Sequence, residues 1–209
     1  MKKLTEQSKL NSPQEYDEIF KLRQKKGVDE HDLRRWKMLL KHYRGRSLID
    51  LGCLDSLVPA MAKHKYPLAH VWGVDVASKA LAYMAVDHPD IHWVWQDIQS
   101  TTFDYGAFDY AVLGEVLEHC EHPKNIIKEA MRILKPGGVL AISVPLDEAK
   151  EPGAVDGHRH IWSFDKQDMR ELLEPYGKVK METVGSLFTW KPPFYRYCWT
   201  SLVAFCWKI

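Results

Sequence analysis

The chain has 209 residues, 45% of them apolar and 27% charged, and a net charge of +1 with histidine neutral. That composition suits a globular domain able to bury a full core, and its near-neutral balance excludes the strongly basic surface that nucleic-acid binding requires. Met1-Lys2-Lys3 leads into polar sequence rather than a secretion-signal core, and no apolar run approaches the roughly 18 residues of a membrane span. Cys53, Cys120, Cys198 and Cys206 form no Cys-x-x-Cys pair, which points to a reduced, cytoplasmic setting without structural zinc.

Residues 1–44 read as helical. Ser12-Pro13-Gln14-Glu15 resembles a helix start, Gly27 breaks the run, and either Asp29 or Asp32 caps a second helix. Its stripe of Leu33, Trp36, Leu39, Leu40 and Tyr43 runs to Gly45. From Ser47 short apolar strands alternate with helices. The expected strands are 47–51, 69–74, 92–95, 108–113 and 139–144; the expected helices are 57–65, 78–86 and 123–134, the first capped by Asp55 or Ser56. Lys135-Pro136-Gly137-Gly138 is a sharp turn. A polar segment, a helix over 165–174 and two antiparallel strands near 178–184 and 197–207 follow. This alternation predicts βαβ units, hence an α/β, mostly parallel sheet with helices on both faces.

The chemistry gathers at the carboxyl ends of the strands, where such sheets bind ligands. Asp50-Leu51-Gly52-Cys53 ends the first strand, Asp75-Val76 the second, Asp97-Ile98 the third, and Gly114-Glu115-Val116-Leu117-Glu118-His119 the fourth. Gly52 allows close backbone approach to a ligand. Asp75 suits the two hydroxyls of a ribose, or else caps the next helix; Asp97 suits an adenine amino group, or else its own turn. Val76 and Ile98 offer apolar contacts to a base. Neither Gly-x-Gly-x-x-Gly nor a Walker sequence is present, which disfavours a dinucleotide or triphosphate.

Taken together, these segments resemble class I S-adenosylmethionine-dependent methyltransferases of the small-molecule group with a Glu-Val-Leu-Glu-His motif. The resemblance covers roughly residues 46–184 and includes Leu134-Lys135-Pro136-Gly137-Gly138-Val139-Leu140 at the turn into the fifth strand. It implies a Rossmann-like sheet of seven strands ordered 3-2-1-4-5-7-6, the seventh antiparallel. Residues 1–45 then form an N-terminal helical cap and 46–209 the methyltransferase domain. Carried over by position, Asp50, Gly52, Cys53 and Leu54 hold the methionyl part of S-adenosylmethionine. Asp75 holds the ribose, Asp97 and Ile98 hold the adenine with Val76 against the base face, and the backbone near Gly114 and Glu115 approaches the methionyl end. One departure stands out: where relatives continue Gly-Cys-Gly-x-Gly, this chain has Gly52-Cys53-Leu54-Asp55-Ser56.

The resemblance further implies methyl transfer to a small-molecule acceptor at oxygen or nitrogen, with S-adenosylhomocysteine as product. Alternatives are a catalytically degenerate binding protein or a protein methyltransferase. Aligning a nucleophile supplies about 7 kcal/mol or more, and a general base adds about 10² to 10⁴ in rate. His119, His158 and His160 are the candidate bases, each with a purely structural alternative, and Arg159 is a candidate acceptor anchor. The spacing of these histidines is not diagnostic of a metal site, and no metal is expected. Neither a nucleic-acid partner nor membrane insertion is expected, and the protein is read as a monomer or homodimer.

Overall fold

A computed structural model of the chain describes residues 1–3, 12–146, 160–185 and 200–209. In chain order the elements are β1 (Lys2–Lys3), α1 (Pro13–Lys26), α2 (Glu30–Leu39), β2 (Ser47–Leu51), α3 (Val58–Lys65), β3 (His70–Asp75), α4 (Ser78–Asp87), β4 (His92–Trp95), β5 (Phe108–Gly114), α5 (Pro123–Ile133), β6 (Leu134–Pro145), β7 (Trp162–Ser163), α6 (Lys166–Leu173), β8 (Gly177–Gly185) and β9 (Thr200–Lys208). Seven strands form one sheet in the order β4-β3-β2-β5-β6-β9-β8. Counted within that sheet, this is the expected 3-2-1-4-5-7-6. The pairs from β4 to β6 are parallel, and β9 runs antiparallel to both its neighbours.

Local sequence explains most of the boundaries. The Ser12 hydroxyl accepts the Glu15 N–H, with Pro13 in the first turn of α1. Of the two candidate caps for α2, Asp29 serves, accepting the Asp32 N–H at 2.8 Å. That helix ends at Leu39, short of the expected Gly45, although Leu40 and Tyr43 stay buried beyond its end. Ser56 Oγ accepts the Val58 N–H at 3.1 Å at the start of α3, whereas Asp55 turns instead to Arg23 of α1. The Lys135–Gly138 turn lies inside β6 as a bulge: Leu134 pairs with Phe108 and Val139 with Tyr110. The expectation that residues 1–44 are wholly helical is corrected at its start, because β1 pairs antiparallel with β7. Two residues carry no periodicity that could have revealed it.

The sheet is buried on both faces. Ile49, Leu51, Leu113, Leu140 and Ile142 pack under α5 and α6. Leu48, Val71, Val112, Ala141 and Phe205 pack with Trp36, Leu39 and Tyr43. Helix α2 is therefore part of the core and not a surface appendage. Alternation places Asp50 on the same face as Leu48, toward α2.

The loop after β4 is fixed from α5. Glu129 accepts the Thr101 N–H and hydroxyl and pairs with Arg132 at 2.7 Å. The hydrogen bonds from Arg132, aided by those from Thr101, hold the Glu129 carboxyl down at about 2. A lowered folded pKa adds stability above the unfolded value, and that stability is lost as pH falls toward 2. Glu129→Gln is expected to cost about 2 kcal/mol at pH 7, a fall of roughly 4–8 °C in melting temperature for a chain of this size. Thermal melts across pH should show a shallower acid limb in the variant; parallel limbs would refute the pairing.

Candidate active site

Register aligns the strand ends. Asp50 lies opposite Gly73 and Val112, Leu51 opposite Val74, Asp75 opposite Trp95, and Gly114 opposite Ser143. The segments singled out from sequence therefore meet along one edge of the sheet. Gly52 takes φ +75°, and a Cβ there would stand 2.8 Å from Val116 Cγ2 and 3.6 Å from Ile98 Cδ1. Gly73 is equally constrained: a Cβ would fall 2.4 Å from the Trp93 ring and 3.1 Å from Cys53 Sγ. Close approach of β3 to the loop after β2 depends on both glycines.

The acids are held in different ways. Asp75 is buried, and its carboxylate accepts the N–H groups of Leu54 and Ala77, each at 2.8 Å. It thus caps α4 in part and also ties down the loop after β2. Each oxygen has a lone pair left for a ligand hydroxyl. Burial raises its pKa. Asp50 is 1% exposed, its Oδ2 has no hydrogen-bond partner among the described residues, and burial pushes its carboxyl up to about 7. Asp97 is exposed, and its Oδ1 accepts the Gln99 N–H at 2.9 Å, stabilising its own turn. Ile98 is buried beside Gly52 and Val116. The Val76 carbonyl accepts the Trp95 indole N–H at 2.9 Å.

Leu54 resolves the altered glycine motif. Its φ is +40°, in the left-handed region that ordinarily favours glycine. The side chain is directed toward Phe20, Ala77, Ala80 and Tyr16, under α1. Cys53 is buried and its thiol is raised well above the ordinary value by burial, so it is unreactive packing.

Several site residues carried no sequence signal. Tyr16 of α1 lies among Cys120, Asp75 and Glu118; burial first, then those groups, raises its phenol well above the usual range. A chain of ion pairs then circles the site. Asp55 pairs with Arg23 at 2.9 Å, Arg23 with Asp32 at 3.5 Å, Asp32 with Arg35, and Arg35 with Glu115 at 3.7 Å. Arg35 is 6% exposed. Glu115 takes φ +57°, which aims its side chain back toward α2. Asp32–Arg35 is a local pair on α2, but the links from Asp55 to Arg23 and from Arg35 to Glu115 join residues far apart in sequence, and no local pattern announces them.

His119 and His160 are both half-buried, with rings edge to face and centroids 4.7 Å apart. His158 and Arg159 lie outside the described residues, as do Cys198 and the aromatic turn at 190–195. A groove of about 530 Å³ lined by Arg34, Lys37, Met38, Lys41, Thr183, Val184 and Gly185 holds none of the strand-end acids. It lies between α2 and the end of β8, away from this chemistry.

The residues present suit a cationic, hydroxyl-bearing nucleoside. The donor set consists of carboxylates, one buried oxygen lacks a partner, and a glycine cradle lies beside an apolar pair. A family model described as a methyltransferase domain matches residues 49–142, the stretch from β2 to β6 that carries these segments. That stretch, a little under half of the chain, is similar to a methyltransferase domain. The chain is similar to a ubiquinone biosynthesis O-methyltransferase of Coxiella burnetii, 37% identical over 106 residues, covering 48% of this chain and 44% of that protein. It also resembles a trans-aconitate 2-methyltransferase of Azoarcus sp., 28% identical over 99 residues, covering 47% of this chain and 39% of the relative. The chain thus spans less than half the length of these curated relatives. Among solved structures, it shares its fold with the 1,6-didemethyltoxoflavin-N1-methyltransferase of Burkholderia thailandensis, determined with S-adenosylhomocysteine bound. The TM-score is 0.70 at 19% identity, over 94% of this chain and 90% of that one. A putative methyltransferase from Haloferax volcanii, in complex with the Trm112 activator, superposes with a TM-score of 0.76 at 18% identity, over 93% and 98% of the two chains.

Proposed function

We propose that this protein transfers the methyl group of S-adenosylmethionine to a small-molecule acceptor, at oxygen by preference. The observation that carries this reading is the alignment of Asp50, Gly52, Asp75 and Glu115 along one sheet edge, with Asp50 and Asp75 buried there. The likeness to a ubiquinone biosynthesis O-methyltransferase supports oxygen over nitrogen. When bound, S-adenosylmethionine supplies an electrophilic methyl group on a sulfonium centre. Asp75 would accept from the ribose hydroxyls, Ile98 and Val76 would flank the adenine, and Asp97 would meet its amino group. Asp50 and Glu115 would face the positively charged methionyl end. Residues 1–45 would act as the cap that excludes water, with Tyr16 as their innermost side chain. His119 would hold or accept a proton at the acceptor, and His158 and His160 are further candidates from the segment after β6. No helix among the described residues is long and apolar enough to cross a membrane.

A degenerate, non-catalytic binding protein is the second reading, drawn from Leu54 and Ser56 in place of glycines. The left-handed backbone at Leu54 weighs against it, because the conformation is kept where the residue type is not. Leu54→Gly is expected to relieve about 1–2 kcal/mol of backbone strain while giving up a similar amount of packing. Stability should change little, while S-adenosylhomocysteine should bind about fivefold more tightly because loop and α1 separate more easily. Weaker binding in calorimetry would mean that Leu54 itself contacts the ligand.

The test of function is calorimetric titration with S-adenosylmethionine and S-adenosylhomocysteine, followed by transfer of a labelled methyl group to phenol, catechol and carboxylic-acid acceptors. Binding of both ligands with turnover of one acceptor class supports the reading. A folded protein that binds neither ligand refutes it.

A further inference from the structure

We propose that the groove between α2 and the end of β8 is a docking site for an acidic segment of a partner protein. The groove has a volume of about 530 Å³, and Arg34, Lys37 and Lys41 line it from the helix side. Helical spacing sets Arg34, Lys37 and Met38 on one face of α2, opposite the buried Arg35, Trp36 and Leu39. Lys41 follows in the turn beyond, so the three cations span about 10 Å along the helix axis. The rest of the lining is the last three residues of β8, with Thr183 exposed and Val184 buried. Met38 and Val184 supply apolar surface beside the cations.

Positive charge is in excess here. Arg34 pairs with Glu30, while Lys41 and Lys180 share one carboxylate, that of Glu182, the second at 3.0 Å. Lys37 is exposed and has no ion pair among the described residues. Four cations thus stand against two carboxylates, in a chain whose whole net charge is only +1. Like charges three and four positions apart on a helix repel and destabilise it, and an acidic occupant would remove that cost. Strand β8 is the last of its sheet and pairs only with β9 among the described residues. Its exposed Lys178 and Lys180 discourage pairing with a neutral strand, and an acidic strand would match them.

A peptide suits this lining better than other polyanions do. A nucleic acid needs a run of phosphate contacts on a basic face, and Glu30 and Glu182 interrupt this one. A lone phosphate needs fixed, converging donors, whereas the lysines here stand on flexible stems. A segment that mixes acidic and apolar side chains matches both the cations and the Met38–Val184 surface, and methionine adapts readily to varied apolar partners. The volume lies in the range of pockets that take small ligands, so it admits a short segment and not a folded domain. None of these residues belongs to the strand-end site, so docking goes beyond methyl transfer and does not depend on it.

The test follows the fluorescence anisotropy of a labelled peptide of Glu, Ser and Leu on addition of the whole chain. Physiological salt is used, because it largely screens charges more than about 8 Å apart. The expected result is saturable binding that weakens about tenfold in Lys37→Glu/Lys41→Gln. A similar loss is expected in Thr183→Trp, which fills the groove without changing charge. Lys124→Glu/Lys128→Gln makes the same charge change at exposed positions of α5 and should bind as the wild type does. Thermal melts show which variants are folded, and either groove variant suffices for the comparison. The proposal is overturned by the absence of saturable binding, by equal losses in the two charge variants, or by wild-type affinity in a folded Thr183→Trp. Tighter binding of a Lys, Ser and Leu peptide or of a single-stranded RNA oligomer also overturns it, as does displacement by an equimolar amount of inorganic pyrophosphate, which would mark a site for small anions.

Discussion

Asp75→Ala is expected to weaken S-adenosylmethionine and S-adenosylhomocysteine binding by at least about 100-fold, roughly 3 kcal/mol. The effect has two parts. One is the lost acceptor for the ribose hydroxyls. The other is the release of the loop after β2, because the Leu54 and Ala77 N–H groups each lose a 2.8 Å partner. Buried donors left unpaired cost about 1–3 kcal/mol each, offset in part by removing a carboxylate that burial already disfavours. The variant should therefore lose several degrees in melting temperature as well as affinity. Asp75→Asn keeps one acceptor oxygen and turns an amide N–H toward the other donor, so it should fall between wild type and alanine. Titration calorimetry on both variants, alongside melts, separates the two parts. Wild-type affinity in a folded Asp75→Ala would remove Asp75 from the ligand site.

The second large effect concerns pH. Burial raises the Asp50 carboxyl to about 7, with Ser56 and Arg35 acting in the opposite direction. A carboxyl whose folded pKa is raised favours the folded state only while protonated. Wild-type stability should therefore decline as pH rises from about 4 through 7, by up to about 4 kcal/mol from this group. Asp50→Asn, similar in shape and uncharged, should match the wild type near pH 4 and melt higher at pH 8. Binding should move the other way. A positively charged ligand beside Asp50 favours the ionised carboxylate, so wild-type affinity for S-adenosylmethionine should rise about tenfold per pH unit up to about 7 and then level off. In Asp50→Asn the affinity should be weak and flat. A variant that keeps the wild-type slope would show that another group titrates.

The sequence marked the sheet edge well because each marker is local. An apolar run ending in Asp50-Leu51-Gly52, Asp75, Asp97 or Gly114-Glu115 carries its own evidence, and parallel connection rules supply the order. The two antiparallel late strands were legible in the residues, the place of the last one inside the sheet came from the resemblance, and both are borne out by β9. What escaped is non-local. Asp55 read as a candidate helix cap, and it pairs instead with Arg23, 32 residues away. Nothing in the sequence singles out Arg35, yet its burial beside Glu115 and Ser143 makes it part of the site. Tyr16 was legible only as an apolar position at helical spacing. Leu54 stood out only as a departure from the glycine pattern, because backbone conformation cannot be read from residue type when the residue departs from its usual preference.

Helix α1 lies over the strand ends through four attachments: Tyr16 near Asp75, Phe20 beside Ala77 and Ala80, Arg23 with Asp55, and Asp17 with the Lys79 N–H. The timing of ligand capture follows from this. A nucleoside arriving by diffusion meets Tyr16 before it meets Asp75, so the helix must yield first. In stopped-flow mixing, the observed rate should rise with ligand concentration and then reach a ceiling set by the departure of α1. Salt, which weakens the Arg23 and Asp17 links, should raise that ceiling even as it leaves the apolar attachment of Phe20 in place.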